Sequence, residues 1–278
     1  MGCWHAASGA PGARRRLVSS LRFEGRRRGG PSRLKGPGKP ETPAVEPILR
    51  PPAGPETIRL AKRLIRLART GALGTLARSS GFPLTTLVGV ASDDDGAPLL
   101  FLSGLAEHTK NLAEDGRASL LIAPPAERGD PLNAPRITLL GRLAPADTLR
   151  RRQRYLQRNP KSTMTMALPD FRVHRLEVEA VHFNGGFGRA DVVEPPDLPT
   201  MFDESLVAEE AALLAEAAAL DPALLARAAN AGEGPPPRVA GLDAEGIDLS
   251  RRGEPLRVDW EEAAPTPGEW RARLAGLA

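Results

Sequence analysis

Cysteine is almost missing from this chain: 278 residues contain one, Cys3. No internal disulfide and no cysteine-based metal cluster can therefore form, and such usage suits a reducing, cytoplasmic compartment. Long apolar runs are missing too. None approaches the eighteen or so residues that a bilayer crossing needs, so a soluble protein without a membrane span is expected. Histidine is sparse, at four, and none falls in residues 183–278. His174 and His182 stand eight residues apart, about 26 Å along one extended strand, so they cannot share a metal unless the chain reverses. There is no Gly-x-x-x-x-Gly-Lys loop, no His-Glu-x-x-His, no Gly-x-Ser-x-Gly elbow and no zinc-type cysteine spacing, so the motif-defined phosphate, zinc and serine-hydrolase chemistries are excluded and no metal site is expected.

Acidic charge is scarce at one end only. Residues 1–40 hold ten of the 38 Lys and Arg and a single acid, Glu24, which leaves 28 basic and 33 acidic residues beyond, a net of −5. The +4 of the whole chain thus belongs to the tail and does not argue for nucleic acid. Residues 1–54 are rich in Arg, Gly and Pro with little apolar periodicity, and read as a disordered basic tail. A transit peptide, a nucleic-acid arm, a lipid anchor on Gly2-Cys3 and a later start of translation are the other readings. Ala6 stands where the anchor motif needs Ser or Thr, and Pro and Gly interrupt the helix a transit peptide needs.

Regular structure is expected from about Glu56. Ala61, Leu64, Ile65 and Ala68 recur at helical spacing, which predicts an amphipathic helix over 58–69 that stops at Gly71. Its basic face, with Arg59, Lys62, Arg63, Arg66 and Arg69, is read as solvated. Short β runs then follow at 72–77, 83–91, 98–103, 117–122, 136–143 and 171–183, with turn signals such as Asp93-Asp-Asp-Gly96 and a helix over 145–157 before the last. Hairpin-length turns argue for an antiparallel sheet or barrel. After Pro195 the composition shifts to Ala, Leu and Glu: a long helix over 204–220, another over 222–229, β segments at 238–243, 247–250 and 256–260, and a last helix over 266–277. This reads as a smaller α/β domain. The predicted organisation is a tail over 1–54, a barrel domain over 55–194 and an accessory domain over 195–278, an α+β fold.

The most telling stretch is Gly104-Leu-Ala-Glu-His-Thr-Lys-Asn-Leu112, between two apolar runs. A hydroxyl and an amine side by side, Thr109 and Lys110, at a strand-to-helix junction can seat a phosphate, since the helix start adds free N–H groups and the positive end of the dipole. A solvated Thr-Lys pair on a helix start is the bland alternative. Within Leu84-Thr85-Thr86-Leu87-Val88 the two hydroxyls fall on opposite faces of a strand, so at least one points inward or to a ligand. Arg136, at a strand end, can clamp a phosphate, and His108 stands beside the proposed seat.

With Arg69-Thr-Gly-Ala-Leu-Gly-Thr-Leu76, Asp130-Pro-Leu132, Arg136-Ile-Thr-Leu-Leu-Gly-Arg142, Arg154-Tyr-Leu156 and Gly185-Gly-Phe-Gly-Arg-Ala190 in this order, residues 56–190 resemble the FMN-binding split-barrel proteins related to pyridoxamine 5'-phosphate oxidase, nearest to their haem-utilisation branch. The resemblance implies a Greek-key split barrel and a homodimer with flavin between subunits. It places Thr85, Thr86 and Leu87 against the flavin, Thr109 and Lys110 on its phosphate, and Ser103 near the ring or ribityl chain. It implies a flavin-dependent oxidoreductase; the alternative is a regulatory protein that binds haem or another protein without turnover. Residues 241–249 resemble the accessory domain fused to such barrels. That domain commonly carries Asn and His where this chain reads Leu220 to Asn230 without histidine, a departure that weighs against haem degradation.

Overall fold

Pro55 and Glu56 open α1 (Pro55–Leu67), a position where proline forfeits no hydrogen bond and an acid meets the positive dipole end. The computed structural model describes residues 52–124, 130–186 and 192–277. Most of the predicted tail, and residues 187–190 of the glycine run, lie outside that set. Ala61, Leu64 and Ile65 bury the apolar stripe of α1 in the main core. The helix ends at Ala68 rather than at Gly71. Gly71 lies inside the next strand, where any side chain would strike Leu120.

Then come β1 (Thr70–Leu76), β2 (Pro83–Ser92), β3 (Pro98–Ser103), α2 (Glu107–Glu114), β4 (Arg117–Ile122), β5 (Arg136–Pro145), α3 (Leu149–Arg158), the single-turn α4 (Thr163–Met166) and β6 (Phe171–Asn184). The six strands pair antiparallel in the order β1-β2-β3-β6-β5-β4 and close into a barrel. Because β4 returns beside β1 after the β1-β2-β3 meander, the first four strands form a Greek key, as expected. Alternate residues fill the interior, among them Leu73, Val88, Leu100, Leu120, Ile137, Leu139 and Leu176. Each such burial stabilises by about 1.5–3 kcal/mol. The β5–β6 register slips between Leu140 and Gly141. Glycine is needed there, since a Cβ would sit 1.8 Å from the Glu177 carbonyl oxygen.

Outside the barrel, α3 covers Ala91, Leu99, Phe101 and Val173 with Tyr155, the Tyr155 and Phe101 ring centres lying 5.4 Å apart. Beyond β6, the expected long helix is broken into α5 (Glu204–Ala208) and α6 (Glu210–Ala218), with Glu209 leaving helical geometry at φ −95° and ψ 3°. After α7 (Pro222–Ala228), strands β7 (Arg238–Asp243), β8 (Gly246–Arg251) and β9 (Glu254–Asp259) form an antiparallel meander, and α8 (Pro267–Ala275) closes the fold. Leu213, Leu225, Ile247 and Trp270 anchor this second core. Among the described residues no helix is long and apolar enough to cross a membrane.

Of the basic face of α1, Arg59 is exposed, but Lys62, Arg63 and Arg66 are not left to solvent as expected. They form a seam with the three-stranded sheet: Lys62 meets Glu245 at 2.6 Å, Arg63 meets Asp259, and Arg66 meets Asp243 at 3.1 Å. Arg257 reaches Asp243 at 2.7 Å and Asp248 at 2.8 Å, while Arg158 of α3 pairs with Asp248. Burial pushes the Asp243 carboxyl up, but Arg257 and Arg66 outweigh it and hold the group well below the carboxylate range. Burial also pulls Arg158 down to about 10 despite Asp248 beside it. These acids lie some 180 residues beyond α1, so its local pattern could not announce them.

Candidate functional site

Strand β3 hands over to α2 through Ser103 and a turn, and α2 lies across one end of the barrel. Its Asn111 donates from Nδ2 to Thr75 Oγ1 at 3.1 Å and accepts from the Arg78 N–H at 3.1 Å, while Leu112 enters the core. One turn earlier on the same face, His108 Nδ1 lies 3.1 Å from Thr86 Oγ1. Burial lowers the pKa of His108. His174 is close enough for its own titration to feel His108 and is itself lowered, by burial first. Its Nδ1 lies 3.1 Å from the Arg172 carbonyl. A carbonyl only accepts, so this nitrogen is the donor.

The residues named from sequence divide into groups. Thr86 meets His108 of α2, and Thr109 Oγ1, the next residue on that helix, is buried with no partner among the described residues. Lys110 is partly exposed, with Nζ 4.0 Å from Glu107. Ser103 is engaged: its hydroxyl donates to Asp170 at 2.5 Å and accepts from the Leu105 N–H at 3.1 Å. Thr85 and Leu87 are exposed on the outer face of β2. Arg136 opens β5 and is engaged locally, donating to the Leu132 and Ala134 carbonyls at 2.8 and 3.3 Å. One chain therefore does not bring the expected flavin contacts to a single point.

The register assembles something the sequence did not announce. Leu87, Ala72, Leu121, Thr138 and His182 are directly opposite one another in turn across β2, β1, β4, β5 and β6. Thr85, Gly74, Ser119, Leu140 and Ala180 make the adjacent row. Directly paired residues project to the same face, here the outer one. Leu87 is 77 % exposed and Leu140 42 %. Arg136 pairs with Asn184 one step beyond Thr138 and His182, so it borders this face. His182 is exposed and has no partner among the described residues.

A family model described as the β-barrel of CREG matches residues 52–198, more than half of the chain. The chain belongs to the CREG β-barrel family. The matched stretch holds the whole closed barrel and agrees with the split-barrel, haem-utilisation likeness carried by residues 56–190. The chain is similar to a protein of unknown function from Agrobacterium tumefaciens, at 33 % identity and a TM-score of 0.71 over 81 % of this chain and 96 % of that one. A haem-binding protein from Mycobacterium smegmatis is 26 % identical, with a TM-score of 0.50 over 81 % of this chain and 97 % of that one. The chloroplastic heme oxygenase HOZ of Arabidopsis thaliana is 36 % identical over 124 residues, 43 % of this chain. The chain spans 37 % of that protein's length.

Two features of this CREG barrel were within reach of sequence, and one was not. The opposite facing of Thr85 and Thr86 follows from the two-residue strand period. The place of Thr109 at the start of a helix follows from the strand-to-helix pattern. The row that ends at His182 needs four strand registers at once, and no local signal encodes it.

Proposed function

We propose that this protein binds haem on the open outer face of its barrel, as a homodimer that closes over that face. The observation that carries the reading is the pair of cross-strand rows from Leu87 to His182 and from Thr85 to Ala180, which span five strands and leave leucines of three of them exposed. Contiguous apolar surface of this kind marks an interaction site. A second copy laid on it would bury Leu87, Leu121 and Leu140 and turn an open face into a cleft. The relatives point to a tetrapyrrole as its occupant, since one is named as haem-binding and one as a heme oxygenase. Haem bound there supplies iron redox chemistry; the chain supplies an apolar wall, a cation at its margin and an imidazole.

A second reading, FMN held at α2 for flavin-dependent redox chemistry, is favoured by the buried, unpartnered Thr109 hydroxyl beside Lys110. Absorbance titrations of the purified protein with haemin and with FMN separate the two. Saturable appearance of a Soret band is the expected outcome, with Leu140→Asp giving a monomer by sedimentation that binds haemin more weakly. A monomeric wild type that binds haemin no better than an unrelated barrel protein overturns the reading. FMN affinity that is lost in Lys110→Ala favours the second.

A further inference from the structure

The geometry points to His182 as the side chain of this chain that ligates haem iron, with Arg136 holding a propionate. This inference rests on the haem-binding reading and adds to it the atoms that do the holding. Among the described residues there are three imidazoles to choose from, and two lie off this face. His108 Nδ1 is in contact with the Thr86 hydroxyl beneath α2. His174 is 4 % exposed, its Nδ1 bound to the Arg172 carbonyl. His182 alone of the three is exposed and meets no partner among the described residues. A neutral imidazole is a good iron ligand, and ligation needs one ring nitrogen free of other bonds.

Its surroundings suit a flat, apolar ring with acidic edges. On the same face lie Thr138 directly opposite, Ala180 and Leu140 in the adjacent row, and Leu121 one strand further. Small and aliphatic side chains there leave room for a macrocycle against the sheet. On the other side of His182, the paired residues Arg136 and Asn184 continue the face. Arg136 donates from Nη1 to two carbonyls, which fixes the guanidinium in place. Nε and Nη2 remain as donors for a carboxylate, the pairing that a planar guanidinium favours. The site would thus use an arginine already singled out as an anion clamp, for a carboxylate in place of a phosphate. It also supplies an imidazole from the barrel itself, in a chain whose residues 183–278 contain none.

The test is haemin titration of full-length wild type, His182→Ala and Arg136→Gln, followed by absorbance and by electron paramagnetic resonance of the ferric form. Wild type is expected to show a histidine-ligated spectrum. His182→Ala should lose that signature while keeping its melting temperature, because the side chain meets no partner among the described residues of its own chain, and added imidazole should restore it. Arg136→Gln should keep the ligation spectrum and bind about tenfold more weakly, as expected for loss of a charged hydrogen bond. A wild-type spectrum in His182→Ala overturns the assignment and leaves haem binding standing. Failure of wild type to bind haemin overturns the haem reading itself.

Discussion

Two polar-and-apolar surfaces of this molecule have opposite fates. The seam between α1, α3 and the three-stranded sheet is densely charged, buried, and paired within the chain: Arg66, Arg158 and Arg257 each reach Asp243 or Asp248. The rows Leu87 to His182 and Thr85 to Ala180 on the outer face of β2, β1, β4, β5 and β6 hold no Lys, Arg, Asp or Glu, yet they are left open, with Leu87, Leu121 and Leu140 exposed and His182 unpartnered among the described residues. Charge content is therefore a poor guide to which surface awaits a ligand. What separates the two is whether the chain satisfies its own groups. The seam is complete and structural, whereas the open face leaves its groups unsatisfied within the chain, which is what the proposed dimer and haem site would use.

The strongest way to break the comparison is to make the seam incomplete. Asp243→Ala leaves Arg66 and Arg257 buried beside each other, Arg257 keeping Asp248 and Asp259, and removal of one partner from a buried ion cluster costs about 3–5 kcal/mol. Equilibrium urea unfolding should show this loss as a fall in midpoint. A midpoint within experimental scatter of wild type would mean that water enters the seam and that it is no different in kind from the open face.

The strands were legible in the sequence because turn signals bound them. Asp93-Asp-Asp-Gly96 separates β2 from β3, and the predicted limits of β3, β4 and β7 are those observed. The basic side of α1 was misread because a helix reports which face is charged but not what lies opposite. Its acids, Asp243, Glu245 and Asp259, arrive only with the tertiary fold. The break at Glu209 was hidden by a run of good helix formers whose local preference the packing overrides. For the candidate site, the position of each residue on its element was readable, and the grouping was not. Thr85 and Leu87 share a surface with His182 only through the registers of four strand pairs.

A smaller effect sharpens the comparison at the barrel end. Burial holds His108 and His174 below the ordinary histidine pKa, so unfolding takes up protons at mildly acidic pH. The stability these neutral rings contribute is fully present above about pH 6.5 and is lost as the pH falls below that value through their folded-state pKa. The carboxylates Asp94, Asp95 and Asp147, the last of them beside His174, are lowered and titrate in a more acidic window. Thermal melts between pH 7.5 and 5 should therefore show falling stability, with a shallower slope in His174→Gln. An equal slope in that variant would remove His174 from the buried set.

The smallest effect asks whether the end beneath α2 is complete, like the seam, or incomplete, like the open face. Thr109 Oγ1 is buried without a partner among the described residues. An unsatisfied buried hydroxyl costs free energy, and exchange for an apolar group of the same shape is neutral or stabilising. Thr109→Val should accordingly leave the melting temperature unchanged or raise it, by the equivalent of up to about 1 kcal/mol. A clear drop in the ligand-free protein would mean that the hydroxyl already has a partner, such as an ordered water, and that this end belongs with the seam. An unchanged or higher melting temperature, together with loss of stabilisation by added FMN, would identify the hydroxyl as one kept unsatisfied for a phosphate and place a second incomplete surface on the barrel.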